Sequence, residues 1–186
     1  MKLLLYCTKG KPYLKKRNQS ILDNGIDKYI QSQEITLNGK IVAECDYEVE
    51  EIYYLSFMNE KLRQRIYKES CLSDEEISNY MNRHDTMYAI HIKNLHIFDK
   101  LIELNELYND EEQLNEVNSL WDFYGMPDYE SYEEIQIKKA PQNMMYAYSY
   151  TGEKYVLISI HPEHLCKILN GEKTIEVRRR VLKGMI

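Results

Sequence analysis

The stretch Val156-Leu-Ile-Ser-Ile-His-Pro162, followed by Glu163-His-Leu-Cys-Lys-Ile-Leu-Asn-Gly-Glu-Lys-Thr-Ile-Glu-Val-Arg178, reads as strand, helix, strand. Val156 to Ile160 is a short, β-branched apolar run closed by Pro162, which cannot continue a ladder. Leu165, Ile168 and Leu169 recur at helical spacing, and Gly171 supplies the left-handed stop that helices favour. Thr174 to Arg178 returns to a period of two. Ile175 and Val177 take one face, and Thr174, Glu176 and Arg178 the other, beside Lys173. A hydroxyl, a carboxylate and a guanidinium on one side of a rigid strand define a candidate polar site.

Working outward, Ile41 to Cys45 and the stretch around His91 and His96 read as strand. Lys61 to Tyr67 and Leu72 to Tyr80 look helical, with Ser73-Asp-Glu-Glu76 placed as a capping box. Leu101, Leu104 and Leu107 suggest another helix, and Gln113 to Phe123 a further one that Gly125-Met-Pro127 ends.

The pattern Ser159-Ile160-x-Pro162, then Ile168-Leu169-x-Gly171-x-Lys173-Thr174-x-Glu176-x-Arg178, resembles the opening signature of the ASCH family, within the PUA-like group, in its phage and bacterial form. Leu3 to Gly10, Gly39 to Cys45, Tyr88 to Phe98 and Ala140 to Asn143 resemble that family's remaining barrel strands, so the resemblance covers about half the chain and implies an α+β fold: a small β-barrel with peripheral helices. Residues 1–186 would form one such domain, with 99–134 as an acidic helical insertion. The segment that opens a typical ASCH domain lies here at 156–180, so the resemblance implies circular permutation, which compact domains with neighbouring termini tolerate. Permutation predicts that the last strand pairs with the first. The alternative is a tandem fragment whose final segment begins a second domain.

The formal net charge is −6, which by itself opposes nucleic-acid binding. Its distribution matters more: residues 99–134 hold twelve Asp or Glu against one Lys, so the remainder of the chain carries about +5. Basic runs stand at Lys9, Lys11, Lys15, Lys16 and Arg17, and at Arg178, Arg179, Arg180 and Lys183. Were they to converge beside Tyr6 and Tyr13, they would combine phosphate contacts with stacking.

Cys7, Cys45, Cys71 and Cys166 form no CxxC pair, so neither a zinc knuckle nor a disulfide frame is indicated. His91 and His96 fall on opposite faces of a regular strand, and no metal or other cofactor is expected. The N-terminal apolar run is too short for a signal peptide, and no run reaches membrane length. A cytoplasmic protein without a membrane partner is expected.

The resemblance and the segregated charge together imply a protein that binds RNA, single-stranded nucleic acid or a modified nucleotide. Lys173, Thr174, Glu176 and Arg178 would line its cleft, while Arg179, Arg180, Lys9, Lys11 and Tyr6 would contact the nucleic acid. A second implication is hydrolysis. Some bacterial ASCH proteins are amidohydrolases of acetylated cytidine that use a lysine, a threonine and a glutamate, which makes Lys173, Thr174 and Glu176 catalytic candidates, with Glu44 as a further carboxylate. The family threonine would fall where this chain has Glu176. A third reading is a phage-encoded inhibitor that captures a host protein of a nucleic-acid-handling or defence system through 99–134.

Overall fold

A computed structural model describes residues 1–9, 37–53, 58–82, 84–125 and 129–186. The fold is α+β. Strands β1 (Lys2–Cys7), β2 (Ile41–Tyr53), β3 (Thr86–Ile102), β4 (Met144–Tyr148), β5 (Lys154–Ile160) and β6 (Ile175–Arg178) form one sheet in the order β4-β5-β1-β2-β3-β6. Helices α1 (Glu60–Ser70) and α2 (Asp74–Met81) lie between β2 and β3. Helices α3 (Glu111–Tyr124) and α4 (Tyr129–Ile135) precede β4, and α5 (Pro162–Leu169) joins β5 to β6.

β1 is central, parallel to β5 and antiparallel to β2. It is buried on both faces, which explains its unbroken apolar run. Leu3, Leu5 and Cys7 meet Ala43, Val156, Ile158, Ile160 and the apolar side of α5 on one face. Leu4 and Tyr6 meet Ile41, Leu157 and Ile137 on the other. A separate cluster packs Ile66 of α1 and Ile77 of α2 against Met87, Ala89, Ile175 and Val177.

The sheet is open, not the closed barrel that the resemblance implies: β4 and β6 are its edges. Nor does β6 pair with β1, as permutation requires. Both sides of β1 are occupied by β5 and β2, and β6 lies antiparallel to β3 instead. The two edges are nevertheless brought together by side chains. Arg178 donates to Asn143 Oδ1 at 3.0 Å and to the Ser159 carbonyl at 2.7 Å. Asn143 Nδ2 donates to the Arg180 carbonyl at 3.1 Å, and the Tyr146 hydroxyl to that of Lys183.

Several element expectations are corrected. Residues 99–102 continue β3 and only a single 3₁₀ turn follows at Leu104–Glu106, because pairing with β2 carries the strand to Ile102. Ala140 to Asn143 is not a strand; the edge strand begins at Met144. His91 and His96 share a face, since β3 holds an extra residue near Asn94 (φ 48°), so that His96 opposes Glu44 and His91 opposes Glu48. The Ser73–Glu76 capping box forms as expected, and the helix ends at Gly125 as expected, there in the left-handed conformation. Among the described residues, no helix is long and apolar enough to cross a membrane.

Candidate functional site

The second cluster fixes which way β6 faces. Val177 opposes Ala89 and is buried beneath α1 and α2, so Glu176, opposing Ile90, points to the face that carries the main core. The alternation read from sequence holds, but its polar side is interior. Glu176 is 7% exposed and Lys173 only 1%. Charged groups are almost never so buried unless paired.

Each charge has a built partner. The loop after α5 returns through the Lys173 amide, which donates to the Lys167 carbonyl, and the Thr174 amide, which donates to Glu69 O at the end of α1. This brings Lys173 Nζ to 2.7 Å from the Ser70 carbonyl. The last carbonyls of a helix lack intrahelical donors and carry the negative end of its dipole, so a cation suits this position. Nζ also lies 3.3 Å from Glu176 Oε2, while Glu176 Oε1 is ion-paired with Arg178 at 2.9 Å. Burial pushes the Glu176 pKa up, but the Arg178 guanidinium, then Lys173 and His164, outweigh it and hold the carboxyl below its ordinary range. The site therefore keeps an ionised carboxylate between two cations.

These residues border a cavity of about 400 Å³ lined also by Thr8, Glu76, Tyr80, Gln142, Ser159, His161 and His164. Its volume lies in the range of small-ligand pockets. Three buried polar atoms of the lining have no hydrogen-bond partner: Glu176 Oε2, Arg178 Nε and His164 Nδ1. The Lys173 approach to Oε2 is an ion pair, with the ammonium directed at Ser70. His164 is held neutral to lower pH than usual, by burial first and then by the Lys173 charge. At the mouth, the Arg179 guanidinium stacks 5.0 Å above the Tyr80 ring.

The expected site residues divide. Lys173, Glu176 and Arg178 come together, but Thr174 is exposed and does not line the cavity. Thr8 supplies the hydroxyl instead. Arg179 and Arg180 are exposed beside the site; Lys9 is exposed but does not line the cavity, and its side chain lies against Gly39, where a Cβ would come within 2.6 Å of Lys9 Cε. Tyr6 is 4% exposed inside an apolar cluster and presents no face for stacking, which removes it from the candidate interface. Glu44 is not in the lining and pairs with Lys2 and, at 3.6 Å, with His96. Lys11 lies outside the described residues. Thr8, just after β1, and Arg178, at the end of β6, border one cavity, so the two ends of the chain come together there without β1 and β6 pairing. No group of three or more His, Cys, Asp or Glu among the described residues is arranged to hold a metal ion.

The sequence reading missed His164, Gln142, Ser159 and Tyr80 as lining residues. The pair His161 and His164 at the start of a helix was the available local signal, and their rings stand 6.3 Å apart. Comparison with known proteins finds no matching family model, curated protein or solved structure.

Proposed function

We propose that the cavity receives a single nucleobase, presented by RNA or another single-stranded nucleic acid or carried on a free modified nucleotide. The observation that carries this reading is one small cavity lined by an ionised carboxylate, Glu176, beside a guanidinium, Arg178, with His164 next to them. A ligand edge offering a donor beside an acceptor would complement that pair. An amino group would face the Glu176 carboxylate, and a ring nitrogen or carbonyl the Arg178 guanidinium. A keto oxygen in the amino position would face the ionised carboxylate and be rejected.

The rim supports the same reading. Tyr80 is 38% exposed and offers aromatic surface, Arg179 stacks on it, and Arg180 and Lys9 are further exposed cations adjacent in sequence to the site, available for phosphate. The curled sheet, with β4 and β6 linked by side chains, is in this reading an open variant of the barrel implied by the ASCH resemblance.

The hydrolase reading has one observation of its own, since Thr8, Lys173 and Glu176 border one cavity. It is the weaker. Lys173 is committed to Ser70 and Glu176, and a carboxyl held below its ordinary pKa is a poor general base, which works best with a pKa near the operating pH.

The test is a titration of the full chain with labelled single-stranded RNA and with free nucleosides at two salt concentrations. RNA binding should weaken as salt rises, and Arg179→Ala with Arg180→Ala should flatten that dependence. Amino-bearing nucleosides should compete and keto-bearing ones should not. Salt-insensitive binding that survives both substitutions would refute the phosphate role, and indifference to the base would refute the pocket. Turnover of acetylated cytidine, lost in Lys173→Ala, would shift the assignment to hydrolysis.

A further inference from the structure

A second surface shares no residue with the cavity. Helix α3 buries Leu114 completely against Tyr108, Tyr132, Ile135 and Tyr148, with Val117 packed beside it. The next stripe along the helix, Glu116, Leu120 and Phe123, faces away from that contact. Leu120 is 47% exposed, Phe123 79%, Trp121 37% and Tyr150 43%. Leu120 and Phe123 lie on the outward stripe and Trp121 on the Leu114 side beside Tyr150, so exposed apolar surface wraps around one helix end, the kind of patch that marks an interaction site.

The patch is ordered. Trp121 stands 5.9 Å from Tyr150 and 6.4 Å from Tyr132, and Tyr132 stands 5.6 Å from Tyr150, centroid to centroid. The Tyr132 hydroxyl donates to Asn118 Oδ1 at 2.5 Å, and Asn118 Nδ2 donates to the Tyr150 carbonyl at 3.2 Å. Rings at these separations pack on one another and leave no gap for a small ligand. The feature is a platform.

Its surroundings are predominantly acidic, with Lys154, 4.0 Å from Glu111, as a flanking cation. Glu111, Glu112 and Glu116 of α3 and Glu130, Glu133 and Glu134 of α4 are all exposed, and neither helix contains a Lys or Arg. Nucleic acid and anionic lipid would be repelled. A second copy meeting this face through a two-fold axis would set carboxylate against carboxylate. What complements an apolar platform ringed by glutamates is an amphipathic basic segment, with aliphatic or aromatic anchors on one side and Lys or Arg beside them.

We propose that the α3–α4 face docks a basic amphipathic segment of a protein partner, with Leu120, Trp121, Phe123 and Tyr150 as the apolar seat. Trp121 is the chain's single tryptophan, so its emission reports on the seat directly. The probe is a synthetic peptide of about 18 residues with Lys and Leu at helical amphipathic spacing, titrated into the full chain. Controls are a scramble of the same composition and a version with every Lys replaced by Glu. The expected result is saturable binding with a shift of Trp121 emission to shorter wavelength. Affinity should fall at least about tenfold when salt rises from about 50 to about 300 mM.

Leu120→Ser with Phe123→Ser should weaken binding by a further factor of about ten. Both positions are exposed, so the core is retained, and circular dichroism checks it. Equal binding of the scrambled or Glu peptide, unchanged affinity in the double variant, or an unmoved Trp121 emission would each overturn the proposal. A dimer in sedimentation that the double variant abolishes would overturn it in favour of self-association.

Discussion

Glu176→Gln isolates the energetic role of the buried charge cluster. The substitution keeps side-chain volume and removes one negative charge between Lys173 and Arg178. Lys173, 1% exposed, is then left with the Ser70 carbonyl alone, whereas Arg178 retains Asn143 Oδ1 and the Ser159 carbonyl. Removing one partner from a buried ion pair costs about 3–5 kcal/mol. Because both cations keep some acceptors, the lower end applies, about 3 kcal/mol, which lowers Tm by roughly 6–12 °C in a chain of this size. Urea unfolding of both proteins between pH 7 and pH 3 measures it.

The pH dependence has a definite sign. The carboxyl of Glu176 lies lower in the folded chain than the 4.5 of a free glutamate, so the folded state holds the proton less tightly than the unfolded state. Its stabilisation is complete above that value and is lost as pH falls toward the folded-state pKa. The gap between wild type and Glu176→Gln should therefore be constant near neutrality and begin to close below about pH 4.5. A loss under about 1 kcal/mol at pH 7, or a gap that stays fixed on acidification, would refute the view that an ionised Glu176 holds the two cations in place.

Two further outcomes follow from the same region. By NMR, the His164 ring should titrate below 6.5, as burial and the Lys173 charge require. Its protonation on acidification should oppose folding, and Lys173→Met should bring the midpoint back toward the ordinary value. Ser73→Ala removes the hydroxyl that accepts from the Glu76 amide and should cost about 1 kcal/mol in urea unfolding. Because Glu76 also borders the cavity, base binding should weaken with it, and unchanged binding would place Glu76 outside the working rim.

The strand-helix-strand unit was legible because its signals are local. Pro162 sits at the first turn of α5, Leu165, Ile168 and Leu169 cover one side of it, and Gly171 adopts φ 75°. The capping box of α2 and the alternation of β6 were readable for the same reason. Strand β4 was not. Met144-Met-Tyr-Ala-Tyr148 contains no β-branched residue, and its extended form comes from pairing with β5. The leucines at 101, 104 and 107 match a helical spacing of three, yet the β2–β3 ladder overrides that local preference up to Ile102. Of the site, the chain near 173–178 announced its own charges. Nothing in the local sequence places Thr8, Tyr80, Asn143 or Ser159 beside them, since each arrives through tertiary contacts. Thr174 failed as a site residue because its amide and carbonyl are engaged by Glu69 and Ile92, just outside the strand, with its side chain in solvent.

The seam between β4 and β6 explains why so polar a site can exist inside this fold. A closed ladder would satisfy edge backbone groups by strand pairing. Here Arg178 and Asn143 satisfy the carbonyls of Ser159 and Arg180 instead, so the seam needs a guanidinium, and a buried guanidinium needs a carboxylate, which is Glu176. Lys173 is different, because the seam does not require it. Its ammonium caps the end of α1 and adds a second cation to the same carboxylate. Replacing a buried ionic cluster by apolar residues of similar size is often neutral or stabilising, so stability is a poor reason for its presence. What the extra charge does achieve is to keep Glu176 ionised against burial, beside the Arg178 guanidinium. An acceptor group and a donor group bordering one cavity of about 400 Å³ suit recognition of a single polar ring. On this argument Lys173→Met should lower affinity for the base more than it lowers stability, and a variant that unfolds more easily but binds as tightly would place Lys173 in the scaffold alone.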